Sequence, residues 1–326
     1  MLICLFNGST LPQAQANSND SPPSHFKIVS LQKNFEDFWT AARDKDFKIQ
    51  LQLWDRLVEH PYQGFYDTLV WAKDNTPDWP KRRESRLKDL FAEYPKLYPQ
   101  IESHFIHFES VLNAQIKQFQ VNLPDAHFDL SIYSVPAATF NGKAGPYAGG
   151  TVLAFGMDLI AERKDNPDVL YSHELFHIYH SQKLKMTQEA YTHQAHFTLP
   201  LWLEGLAVFA SGKFNPSASD AEILMDPALS RLNQKTLAWL ASRYIKVADQ
   251  PAQDGKNPEL YMKWFSMGGY QLDKTLPSRC GYRLGLEVVR YLGKSYTLSE
   301  MVRWPLEEIH GHVLEALNFI TKERAP

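Results

Sequence analysis

Residues Leu170 to His180 read LYSHELFHIYH, and the pentapeptide HELFH at His173 to His177 governs the reading of the rest of the chain. On an α-helix, positions four apart return to within about 40° of each other with Cβ atoms ~5–6 Å apart, so two imidazoles at 173 and 177 can converge on one cation. Glu174 lies about 100° further round. That puts its carboxylate beside such a cation rather than on it, where it can take a proton from water. A helix is expected because Asn166, Pro167 and Asp168 supply an N-cap, a proline at the first helical position and an acid in the first turn. Leu170, Leu175, Phe176, Ile178 and Tyr179 are spread over several faces, the pattern of a helix buried on most sides. The bland alternative is a pair of core histidines hydrogen-bonded to neighbours and an ion-paired glutamate.

Zinc accepts imidazole nitrogen readily, and a catalytic zinc takes three protein ligands with one position open. The best third ligand is Glu204, the sole acid in TLPLWLEGLAVFASG, Thr198 to Gly212, where Pro200 suits a helix start and Gly212 a helix end. A carboxylate in so apolar a helix needs a cation. Gly205, which follows it, costs about 1 kcal/mol relative to alanine inside a helix and is explained if another backbone approaches closely there. The alternative for Glu204 is a solvent-facing side chain or an arginine ion pair. A third histidine six residues after His177 is excluded, because position 183 is lysine. His180 is read as lining a cleft or as surface polar; His193 and His196, whose i, i+3 spacing could allow metal contact, fall in a connection and are read as structural or surface residues.

The stretches HELFHIYH (173–180), LWLEGLAVFAS (201–211) and PSRCGYRLGLEVV (277–289) resemble the gluzincin metallopeptidases, and within them the family of predicted Zn-dependent proteases. The resemblance extends loosely over the N-terminal third. It implies Zn2+ at His173, His177 and Glu204, catalytic Glu174, a cleft between two lobes, and hydrolysis of peptide or protein substrates; the competing expectation is a catalytically inactive binding protein on the same fold. Two features depart from the pattern. Glu204 lies 27 positions after His177 (204 − 177), longer than in the best-known gluzincins, and Val208 replaces the acid that these can carry four residues after the glutamate. The resemblance also brings Tyr282 to the cleft as the second catalytic residue, a donor to the developing oxyanion, with Tyr270 in SMGGYQL as the alternative. Arg279 is read as binding a substrate carboxylate or as an ordinary ion pair.

Around these motifs the chain reads as α+β, mostly α, a gluzincin-like two-lobed zincin with a small antiparallel or mixed sheet and a helical C-terminal lobe. Helices are expected over 34–43, 47–59, 82–93 and, after Pro95 and Pro99, over 100–119, where Ile101, Phe105, Phe108, Leu112, Ile116 and Phe119 form one stripe. Two strands are expected at 128–135 and 151–155, separated by the loop NGKAGPYAGG, with the second either at a sheet edge able to hold an extended peptide or fully paired within the sheet. The organisation is a leader or disordered N-terminus over 1–25, a helical region over 26–122, the catalytic lobe over 123–215 and the C-terminal lobe over 216–326. Thirty-four basic against 37 acidic residues leave no basic field for nucleic acid, and no apolar run reaches the length of a membrane span. Ala14-Gln15-Ala16 after a short apolar start resembles a cleavage site without a basic n-region, so export after removal of an atypical or truncated leader stands beside a cytoplasmic location. With only Cys4 and Cys280, any metal must use histidine and carboxylate.

Overall fold

The computed structural model describes residues 25–73, 77–184, 194–252, 258–267 and 270–322. The expected leader, Cys4 and His193 lie outside the described residues, apart from His25. Strand β1, His25–Ser30, opens the fold, so the region read as wholly helical begins with a strand. Helices α1 (Gln32–Ala42) and α2 (Phe47–Trp54) follow where apolar spacing predicts them. Asp46 caps α2 by accepting from the Ile49 amide at 3.0 Å.

The next helix departs from expectation. Pro95 and Pro99 were read as a boundary, yet both lie inside a single helix, α3, Trp79–Asn122. Each removes one backbone rung at ~3 kcal/mol. Packing on both sides of the pair offsets this: Leu87, Leu90, Phe91 and Tyr94 are buried before it, and Ile101, Phe105, Phe108, Leu112, Ile116 and Phe119 after it. Tertiary burial therefore overrides a local breaker.

The sheet is mixed and has four strands in the order β1-β2-β4-β3, with β2 at Asp129–Val135, β3 at Gly142–Tyr147 and β4 at Gly150–Gly156. β1, β2 and β4 are mutually parallel, whereas β3 runs antiparallel to β4. The helical crossover α1 to α3 allows the β1–β2 pairing, since parallel neighbours need a long return. One sequence expectation is corrected here and one alternative is decided. The glycine-rich segment is strand β3 and not merely a loop, and residues 151–155 belong to β4, which is paired on both sides and is no edge. Ala148 (φ 52°) and Gly149 (φ 83°) form the two-residue hairpin turn, whose left-handed backbone suits the twist of the flanking strands.

Helix α4 (Met157–Arg163) leaves β4 and holds the buried Asp158, which accepts from the amides of Ala137 and Ala138 at 2.8 and 2.9 Å and so fixes the turn between β2 and β3. Then come α5 (Pro167–Leu184), α6 (Thr198–Phe214), α7 (Gln234–Ile245), α8 (Pro258–Phe265), α9 (Cys280–Leu292) and α10 (Leu306–Lys322). The class is α+β and mostly α. Among the described residues no helix is long and apolar enough to cross a membrane. Buried side chains from Leu31 to Ile320 form one connected core.

Candidate metal centre

Helix α5 carries the HELFH segment and begins as its sequence predicts. The Asn166 side chain accepts from the Asp168 amide at 3.1 Å, and the Leu170 amide donates to the Asn166 carbonyl. Helix α6 packs across it. Asn215, just past the end of α6, donates to Ser172 Oγ at 3.0 Å, next to His173, while Gln115 of α3 donates to Asp168 at 2.8 Å and to Asn215 at 3.1 Å. This polar clamp fixes the two helices against each other below the site.

The crossing brings the three expected ligands together. His173, His177 and Glu204 are 2%, 7% and 2% exposed, so their polar atoms have little recourse to water. The two Nε2 atoms are 3.1 Å apart, and each lies 3.5 Å from Glu204 Oε2. Two ligands ~2.0–2.1 Å from a tetrahedral zinc stand about 3.3–3.4 Å apart, so the spacing of the donors suits that ion. Burial works to raise the Glu204 carboxyl, but the two imidazoles outweigh it and hold the group well below the ordinary carboxylate range. Three converging donors in a buried setting make a set that could hold a metal ion. The Nδ1 atoms of both histidines have no partner among the described residues. Val208 is buried on α6, and its apolar side chain can supply no hydrogen bond to the histidines.

Gly205 has the role its sequence suggested. A Cβ there would lie 2.4 Å from the backbone of Gly285, and one on Gly285 would lie 2.6 Å from the Leu201 carbonyl oxygen. Helices α6 and α9 therefore cross backbone to backbone. The contact sets Tyr282, one turn before Gly285, against the buried triad, with its ring stacked on His173 at 6.2 Å between centroids and 19° between planes. Burial, then the Glu204 carboxylate, push the Tyr282 phenol well above its usual pKa, so it keeps its proton as a donor must. Tyr270, the alternative, is 38% exposed. Arg279 forms no carboxylate ion pair among the described residues; its guanidinium lies over the Tyr282 ring at 4.0 Å, on a backbone in the left-handed region at φ 63°.

Glu174 lies against Gly142 of β3. A Cβ on Gly142 would lie 2.6 Å from Glu174 Cγ and 2.8 Å from its carboxylate carbon, so a larger residue there would force this side chain to shift. Asn141 holds the start of that strand, donating to Asp165 at 2.8 Å while its own side-chain oxygen accepts from the Gly142 amide at 2.9 Å. Glycine and proline in NGKAGPYAGG read as a loop, which concealed the strand. His180 is also corrected: it neither lines a cleft nor sits at the surface but is fully buried against Phe176, and burial pushes its pKa down to about 3.

No family model matches the chain, and neither the curated proteins nor the solved structures contain a match to it.

Proposed function

We propose that this chain is a zinc-dependent metallopeptidase. The observation that carries the proposal is the convergence of His173, His177 and Glu204 at 3.1–3.5 Å in a buried setting, with Glu174 held beside them. On this reading the fold is a gluzincin-like two-lobed zincin whose cleft runs between β3 and the Tyr282 end of α9. When bound, zinc supplies Lewis acidity toward water and a carbonyl group. Glu174 takes the proton from the attacking water and delivers it to the leaving nitrogen, the work of a carboxylate confined next to the reacting atoms. Tyr282, kept protonated, donates to the carbonyl oxygen as charge develops on it. Strand β3, last in the sheet and adjacent to Glu174, offers backbone groups to an extended substrate, which favours a peptide.

The test is Glu174→Gln, with zinc content and cleavage of a peptide library measured on the same preparations. The variant should retain the metal while turnover falls by about 10²–10⁴-fold. Unchanged turnover would remove Glu174 from the mechanism. A wild-type protein that binds zinc but cleaves no member of the library would favour the non-catalytic binding protein.

A further inference from the structure

Arg279 has no part in the mechanism above, and its surroundings are unusual for an arginine. The residue is 5% exposed, yet among the described residues its guanidinium meets no carboxylate. It lies over the Tyr282 ring at 4.0 Å, and its Nη1 is 4.0 Å from the Met267 sulfur, a weak acceptor. A charge withdrawn this far from water is costly unless an anion answers it. The left-handed backbone at Arg279, φ 63°, adds to that cost and is held by α9, whose Tyr282 amide donates to the Arg279 carbonyl at 2.9 Å.

A second arginine shares this corner. Arg163 Nε lies 3.4 Å from Asp165 Oδ2, the same oxygen that accepts from Asn141 at 2.8 Å. Burial lowers the Arg163 pKa; Asp165 and, more weakly, Asp226 oppose this, whereas Arg279 adds to it. Burial raises the Asp165 carboxyl, against the effect of Arg163, then of the Asn141 bond and of Arg279. Two arginines therefore gather around one carboxylate that is already engaged, next to the Gly142 end of β3 where Glu174 lies.

The guanidinium carbon is 4.0 Å from the Tyr282 ring centre, itself 6.2 Å from that of His173, so it stands within about 10 Å of the His173 ring. β3 begins at Gly142, so an extended peptide paired with it passes Glu174 and leaves the strand where the arginines stand. Successive residues advance about 3.5 Å, so an anion gripped by Arg279 belongs to a chain that ends one or two residues beyond the bond at Glu174.

We propose that Arg279 binds the C-terminal carboxylate of the substrate and makes this chain a carboxypeptidase that removes the last one or two residues. The proposal rests on the peptidase reading and specifies its substrate. A planar guanidinium presents paired N–H donors to both carboxylate oxygens. Met267, 50% exposed and unbranched, is the side chain that yields to the incoming anion. Hydrolysis consumes one water, whose oxygen completes the new C-terminal carboxylate and whose two protons end on the released amine.

The experiment uses full-length, zinc-loaded protein and short N-acetylated peptides of neutral sequence, each made as the free acid and as the C-terminal amide, with products read by mass spectrometry. Wild type should release one or two residues from the acids and prefer them to the amides by about 10²–10³-fold in kcat/KM. Arg279→Met should bring that ratio close to one, chiefly through KM, and Arg279→Lys should restore part of it. The wild-type comparison of acid with amide stands even where Arg279→Met fails to fold. Amides cut as well as acids by wild type, or an acid preference kept in Arg279→Met, overturn this proposal and spare the peptidase. An amide carrying a glutamate side chain near its end and cut as fast as the acids also overturns it, because the anion is then not the chain terminus. If no peptide is cut, the peptidase reading fails, and calorimetric binding of the same peptides to zinc-loaded Glu174→Gln protein decides the role of Arg279. Acid-selective binding that is abolished by adding Arg279→Met supports carboxylate capture; equal binding of acid and amide overturns it.

Discussion

A methyl group at position 142 would lie 2.6–2.8 Å from three atoms of the Glu174 side chain. Gly142→Ala therefore displaces the carboxylate without touching any of the three metal ligands. Misplacing a reacting group by about 1 Å can cost on the order of 10²-fold in rate, and a loss of that size is expected here with zinc content unchanged. Equal turnover in Gly142→Ala and wild type would show that the carboxylate need not occupy this position. His180 invites the opposite kind of change. It is fully buried, is pushed down to about 3 and so stays neutral, and has no partner for either ring nitrogen among the described residues. His180→Leu removes two unsatisfied polar atoms and should raise stability by ~1–3 kcal/mol in a urea titration, with zinc retained. A destabilised variant would mean that packing against Phe176 outweighs the relief. The approach of His173 to His177 was legible because i, i+4 spacing is a local property of the helix. His180 and Gly142 were not, since their surroundings come from other parts of the chain.

The crossing of α6 and α9 is the packing contact on which the ligand geometry most depends. Gly205→Ala would push a methyl to 2.4 Å from the backbone of Gly285, which has no side chain able to swing aside, so the helices must separate. A loss of about 3 kcal/mol, at the upper end of overpacking costs, is expected, together with weaker zinc binding as Glu204 moves from the histidines. Gly205→Ala with wild-type zinc affinity would show that Glu204 tolerates the shift. Helix α9 is also held from outside, where Asp220 pairs with Arg290 at 2.6 Å and Arg283 at 3.1 Å. The hydrogen bond from Arg290 chiefly, against a smaller effect of burial, lowers the Asp220 pKa from its ordinary 3.8. Because the folded-state value is depressed, this contribution is complete above about pH 4 and is lost as the pH falls through that lower value. Asp220→Asn should flatten the acid limb of stability below pH 4, measured by urea midpoints; an unchanged limb would show that the pairing is too well solvated to matter. The Gly205 contact could be anticipated from one glycine in an apolar helix. The continuous α3 and strand β3 could not, because burial sustains a helix through Pro95 and Pro99 and a strand through Gly142, Gly145 and Pro146, all of which read locally as breaks.

Because the buried side chains form one connected core from Leu31 to Ile320, a metal bound at the triad would act on the stability of the whole chain. The triad unites two helices that are distant in sequence, so the unfolded chain offers no comparable site, and on the proposed reading zinc would favour the folded state by mass action. At free zinc about a thousandfold above the dissociation constant this amounts to ~4 kcal/mol, or roughly 6 °C in midpoint for a chain of this size. Chelation should thus lower the thermal transition by that order, and restored zinc should return it. His173→Ala should melt with the chelated protein and show no response to zinc. The connected core adds a second expectation: the metal-dependent shift should move a single cooperative transition followed equally by far-UV and near-UV circular dichroism. Two transitions, only one of them sensitive to zinc, would mean that the core divides on unfolding into units that the metal couples weakly, and the effect of Gly205→Ala would then be confined to the zinc-sensitive unit.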